Sequence, residues 1–119
     1  MTLTIRELLI AVDSGALKRL GTQPIAAVGA WRLNRIRRII EAEYGPANAA
    51  RSSLITEANS IPLNGGPARI VKSECMAAFE AEALFAQTVT LDCEPLTLDL
   101  IAEASISTDD MEAILPLLQ

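Results

Sequence analysis

The stretch TQPIAAVGAWRLNRIRRIIEAEYGPANAARSSL, residues 22–54, decides the fold. Ile25, Val28, Gly29, Leu33, Ile36 and Ile40 recur at the spacing of one helix face. The stripe continues to Tyr44 or Ala47, then to Ala50 or Arg51, then to Leu54. At 1.5 Å per residue this is a helix of roughly 30 residues and about 45 Å. It should start at Thr22 or Gln23, with Pro24 at a tolerated first-turn position. Gly45-Pro46 interrupts the pattern. Proline lacks an N–H and crowds the preceding turn, which predicts a kink or a break. The helix formers of Ala47–Arg51 predict that helix resumes beyond it.

A helix this long needs something to lie against, and the N-terminal residues supply it. Thr4-x-x-Glu7 is a capping box, and Leu3 and Leu8 occupy the positions of a hydrophobic staple. Ile5, Leu8, Leu9 and Val12 follow with helical spacing, and Ala16, Leu17 and Leu20 extend the stripe. Asp13-Ser14-Gly15 is where this first helix would split, and Gly21 is a fitting stop. Residues 4–58 therefore read as a basic helical hairpin. The first helix is about half as long as the second. The far part of the second must then meet later helices or another chain, which predicts a homodimer or a partner.

Beyond it the pattern changes. Residues 59–71 hold Asn64-Gly65 between short β-prone runs, a hairpin signal that Pro62 and Pro67 confine to an edge or a loop. Residues 72–86 read as a third helix, with Cys75 or Met76, Phe79, Ala83 and Leu84 on its apolar face. Thr88–Glu94 alternates: Val89, Leu91 and Cys93 point one way, Thr90, Asp92 and Glu94 the other. Leu96, Leu98 and Leu100 resume an alternation after Pro95, which predicts a small strand pair. Ser107-x-x-Asp110 caps a last helix with an Ile106–Met111 staple and Met111, Ile114, Leu115 and Leu118 facing inward. The expected class is α+β, mainly α, in a single domain over residues 1–119. Residues 72–119 form its acidic helix–strand–helix part.

Composition narrows the chemistry. Among 119 residues there is no histidine, and Trp31, Tyr44, Phe79 and Phe85 are the only aromatics. Histidine-based acid–base catalysis, Ser–His–Asp and Cys–His triads and His-containing metal sites are excluded. Cys75 and Cys93 lack CxxC spacing and suggest neither a disulfide framework nor zinc; both read as small buried hydrophobes. No apolar run approaches the ~18 residues of a membrane span. Glu7 falls where a signal peptide would carry its apolar stretch, so a cytoplasmic location is expected. The net charge of −5 divides unevenly: residues 1–51 carry +4 and residues 52–119 carry −9. Such a split suits a basic surface, an acidic surface, or two parts that attract each other.

The candidate partner-binding residues follow from that split. Arg32, Arg35 and Arg38 share a helix face at i, i+3 spacing, with Arg37 off the line. Asp92 and Glu94 share a strand face. Trp31 falls beside the Gly29/Leu33 stripe, which predicts partial burial; exposed, it would be the best anchor for a partner, together with Tyr44 and the arginines. Nucleic acid is the least favoured partner, given the net charge and the lack of rings to stack bases. Asp109 and Asp110 read as helix-capping charge, and Asn64-Gly65-Gly66-Pro67 as a surface turn without phosphate-loop spacing. No catalytic, cofactor-binding or metal-binding residues are expected. If the arginine face and the acidic face meet, they align two parts of one chain or two chains.

The segments LTIRELLIAVDSGALKRL (residues 3–20) and FEAEALFAQTVTLDCEPLTLDLIAEASISTDDMEAILPLL (residues 79–118), with the Pro-led, Arg- and Ile-rich helix between them, resemble small uncharacterised proteins encoded by tailed bacteriophages and prophages. The shared pattern is a basic helical part, a variable middle, a helix, a V-x-L-x-x-x-P-L segment and an acid-capped final helix. The resemblance implies a phage origin and a non-catalytic accessory role in the host cytoplasm, and it transfers no functional residue. The expected function is protein–protein binding, for instance inhibition of a host defence or regulatory complex. The alternatives are a head or tail component of the virion and a nucleic-acid-binding regulator using the arginine helix.

Overall fold

Thr4 closes its capping box: its Oγ1 accepts from the Glu7 amide at 3.1 Å, and Glu7 Oε1 accepts from the Thr4 amide at 2.8 Å. The computed structural model describes all 119 residues, and the helix so capped, α1, spans Ile5–Asp13. Gly15 adopts φ +76°, a left-handed turn that splits α1 from a second short helix, α2 (Ala16–Leu20). Helix α3 (Ala27–Ser53) is the longest element. Chain order along it runs backwards through the first two helices: Asp13 bonds Tyr44 and Arg51, while Gly21 lies against Arg37. With 59% of residues helical and two small antiparallel sheets, the fold is α+β, mainly α.

Two expectations for α3 need correction. It begins at Ala27, not at Thr22 or Gln23, and Ala26 provides no side-chain cap. Gln23 precedes proline, which disfavours helical backbone, and its side-chain oxygen instead accepts from the Ser105 amide at 3.1 Å. Nor does Gly45-Pro46 break the helix, which runs through Pro46 to Ser53. Pro46 leaves the Ala42 carbonyl without its donor, and Ala42 is exposed, so that carbonyl can be solvated. Ala47 is buried, and Tyr44 and Arg51 both hold Asp13, so tertiary contacts grip the helix on either side of the proline.

The sheets differ more from expectation. Strand β1 (Thr2–Thr4) pairs antiparallel with Thr88–Thr90, with Leu3 opposite Val89. The sequence marks 2–4 only as a helix entry. The alternation at 88–94 stops being strand after Thr90, and Leu96 does not pair with it. Leu96 makes an isolated parallel bridge to Leu118, and Leu98–Ile101 forms a 3-10 turn with Leu98 exposed. The hairpin at 59–71 does form: β2 (Ser60–Pro62) pairs with β3 (Arg69–Val71) across a turn in which Asn64 and Gly65 both have positive φ. The remaining strand, Thr88–Thr90, is β4.

The expected helix over 72–86 is also corrected. It is a 3-10 turn (Ser73–Cys75), a short helix α4 (Met76–Glu80) and a second 3-10 turn (Ala83–Ala86). The rings explain the interruption. In one continuous helix Phe79 and Phe85, six residues apart, would project about 120° from each other. Interrupted, they pack at 5.5 Å between centroids, and the Arg6 guanidinium lies 5.5 Å from the Phe85 ring. The last helix, α5 (Thr108–Ile114), starts at Ser107, whose Oγ accepts from the Asp110 amide at 3.1 Å.

One core joins these elements. Leu8 from α1, Ile36 and Ile40 from α3, and Leu96, Ile114 and Leu117 from the C-terminal part are fully buried together. No apolar residue between Leu54 and Phe79 belongs to this core or packs on it. The β2–β3 hairpin is therefore an arm on a molecule of 48 × 28 × 21 Å. Its base is tied by hydrogen bonds from Arg69 to Ser60 and from Lys72 to the Ala58 carbonyl. The cross-strand pair Ile61–Ile70 stands exposed on it.

Candidate functional site

Gly29 determines how closely the C-terminal segment approaches α3. A Cβ there would lie 2.7 Å from the Leu100 carbonyl oxygen, so only glycine admits this backbone contact. Leu100 is thus seated on the start of α3, and residues 90–94 run past the next turns of the helix. Between them opens a cleft of about 610 Å³. Trp31, Arg32 and Arg35 form one wall and Thr90–Glu94 the other, with Met1 at its end.

Five of the seven candidate residues meet here. Arg32 Nη2 pairs with Glu94 Oε2 at 3.0 Å. The Arg35 guanidinium carbon sits 5.3 Å from the Trp31 ring centroid, a cation–π contact. Its only hydrogen bond is a long one, 3.4 Å, to the backbone carbonyl of Asp92, and no carboxylate pairs with it. The expected partial burial of Trp31 is corrected: the residue is 59% exposed. Gly29, Leu33 and Ile36 fill the buried face of α3, which turns position 31 outward.

Asp92 and Glu94 reach the cleft by a different route from the one their alternation suggested. Strand structure ends at Thr90, so they flank the cleft from an irregular segment and both are exposed. Cys93 lies half-buried between them. Burial pushes its thiol up, and Asp92 adds to this, while Arg35 and the Met1 amine oppose it.

Arg38 and Tyr44 lie elsewhere. Arg38 is exposed and makes neither an ion pair nor a side-chain hydrogen bond. Tyr44 donates to Asp13 Oδ1 at 2.7 Å, and Arg51 Nη1 meets Asp13 Oδ2 at 2.6 Å while its Nη2 donates to Asn48 at 2.6 Å. The hydrogen bond to Asp13 raises the Tyr44 phenol above its ordinary range, with burial acting the same way. Asp13 and Arg51 escaped sequence reading because a carboxylate and a guanidinium 38 positions apart carry no local signal. The bidentate pair of Arg19 with Asp110, both contacts at 2.7 Å, escaped for the same reason. It holds the Asp110 carboxyl below the usual carboxylate range.

The basic and acidic parts of the chain therefore meet within one molecule, at Arg32–Glu94 and Arg19–Asp110. Chemically, the cleft offers two guanidinium groups, an exposed indole and flanking carboxylates, which are tools of recognition. No cluster of three Cys, Asp or Glu side chains could hold a metal ion, and no helix is long and apolar enough to cross a membrane. No protein-family model matches the chain, and no curated protein or solved structure is significantly similar to it.

Proposed function

We propose that this chain is a non-enzymatic binding protein that engages another protein through the Trp31–Arg35 edge of the cleft. The supporting observation is Trp31 itself. A large indole held 59% exposed, with an unpaired arginine stacked on it, is the composition typical of an interface hot spot. Indole rings are otherwise buried, because water contact wastes their transfer free energy. On the pattern shared with small phage and prophage proteins, the role is that of a phage-encoded accessory factor acting in the host cytoplasm by occluding a host defence or regulatory complex.

The test is capture of a partner from bacterial lysate by the tagged chain, run beside Trp31→Ala and Arg35→Ala variants. The expected result is a stoichiometric protein complex that both variants lose while keeping the wild-type circular dichroism spectrum. A complex that survives both substitutions would refute the Trp31 edge as the interface.

A second reading has its own support in the β2–β3 arm. Its exposed Ile61–Ile70 pair suits a virion head or tail component that docks on its neighbours. Fixed copy number in purified particles is the expected outcome on that reading, and it would displace the inhibitor role.

A further inference from the structure

We propose that the cleft binds a short acidic peptide segment, and that Glu94 holds in the free protein the place a partner carboxylate takes in the complex. This rests on the reading of the cleft as a protein-binding surface. It adds the chemistry of the bound segment and a built-in competitor.

The Arg32–Glu94 pair is lopsided. The Arg32 side chain is 28% exposed, whereas that of Glu94 is 72% exposed. One partner is held in place and the other is free to leave. An exposed ion pair contributes little, so a carboxylate delivered from outside can replace Glu94 at small cost. One turn further along α3, Arg35 lacks any carboxylate, and stacking on Trp31 leaves the edge of its guanidinium open to accept one. The cleft therefore presents two carboxylate positions about one helical turn apart, one filled by Glu94 and one vacant. The exposed face of Trp31 adjoins them and suits an apolar side chain between the two acids.

A peptide fits this arrangement better than a nucleic acid does. Asp92 and Glu94 stand on the opposite wall. An evenly charged phosphate backbone would be repelled along that wall. A peptide can place its carboxylates at the two arginines alone.

The experiment uses the single tryptophan as its reporter. Fluorescence of Trp31 is titrated with an acetylated, amidated hexapeptide of alternating glutamate and leucine. An alternating lysine–leucine hexapeptide and an oligothymidine of equal charge serve as comparators. The expected result is saturable binding of the acidic hexapeptide alone. Glu94→Gln should tighten it about three- to fivefold, the equivalent of one exposed ion pair. Arg32→Gln should weaken it at least tenfold, and Arg38→Gln, the same charge change outside the cleft, should leave it unaltered.

Absence of binding, or no tightening in Glu94→Gln, would overturn the proposal. So would equal weakening by Arg32→Gln and Arg38→Gln, or tighter binding of the oligothymidine. Glu94 is exposed, so its variant tests the idea even if Arg32→Gln fails to fold. If the hexapeptide fails while Trp31-dependent capture of a protein persists, the acidic-segment inference falls and the protein-binding reading stands. If capture is lost as well, both fall.

Discussion

Helix α3 carries arginines at both ends of its buried stripe, and the two ends use them differently. Near the C-terminal end, Arg51 is paired: it donates to Asp13 and to Asn48, and Tyr44 shares Asp13. Near the N-terminal end, Arg35 rests on an exposed indole with a single long hydrogen bond to a carbonyl. The same side chain thus serves as a clamp in one place and is left open in the other. The difference lies in what the opposing chain supplies. Asp13 ends α1 and points its carboxylate at α3. The segment opposite Arg35 offers a backbone carbonyl instead.

Emptying the core beneath the helix should have the largest effect. Ile36, the residue after Arg35, is fully buried. Ile36→Ala is expected to cost about 2–5 kcal/mol, read by chemical denaturation, and to loosen both ends together. Gly29→Ala comes next and acts on the cleft end alone. Its new Cβ would press on the Leu100 carbonyl, costing about 1–3 kcal/mol and altering Trp31 fluorescence in the folded protein.

Asp13→Ala tests the clamp. Its side chain is 40% exposed against 26% for Arg51, so solvent screening limits the loss to about 1 kcal/mol. The Tyr44 phenol should then titrate nearer the ordinary tyrosine value of about 10, followed by absorbance because the chain has one tyrosine. In the wild type that phenol is raised on folding, so the folded state holds its proton more tightly than the unfolded state does. The stability it contributes is full below the unfolded value and is lost as pH rises through the folded one. Tyr44→Phe should flatten that alkaline decline.

Trp31→Ala should have the smallest effect on folding, within about 0.5 kcal/mol, because the indole buries little. A loss well above that would mean Trp31 supports the fold, and the contrast between the two ends would disappear.

The sequence makes these regions legible to different degrees. Local signals translated well: the Thr4 and Ser107 caps, the stripe of α3 except for Val28, which is 57% exposed, and the Asn64-Gly65 hairpin each depend on a few neighbouring residues. Pairings between distant backbone segments and distant rings carry no such local signal. Thr88–Thr90 looked for its partner in the next leucine run and found it at Thr2–Thr4. Phe79 and Phe85 gave up a continuous helix to meet each other and Arg6. At the cleft, helical spacing grouped Arg32 with Arg35 but also with Arg38, which lies outside it, and the strand alternation that singled out Asp92 and Glu94 stops at Thr90. Trp31 lies about 200° around the helix from Gly29, so the spacing itself turns it outward; its closeness in sequence to Gly29 and Leu33 suggested burial instead. The separation of Tyr44 from the cleft follows from helix length alone: it lies more than two turns beyond Arg35.

The pairing of Thr2–Thr4 with Thr88–Thr90 has a consequence for how the chain becomes a protein. A two-stranded sheet closed across so long a loop cannot form early, because the entropy of bringing its ends together precedes any reward. On the ribosome, α1, α2 and α3 all emerge before the sheet partner of β1, so the helical part is made before the segment that covers it. Emergence of residues 88–118 then fastens it, laying one strand beside β1 and seating Leu100 against Gly29. The cleft is assembled in that same late event, so a nascent chain stalled before residue 88 would have the arginines and Trp31 but no opposite wall.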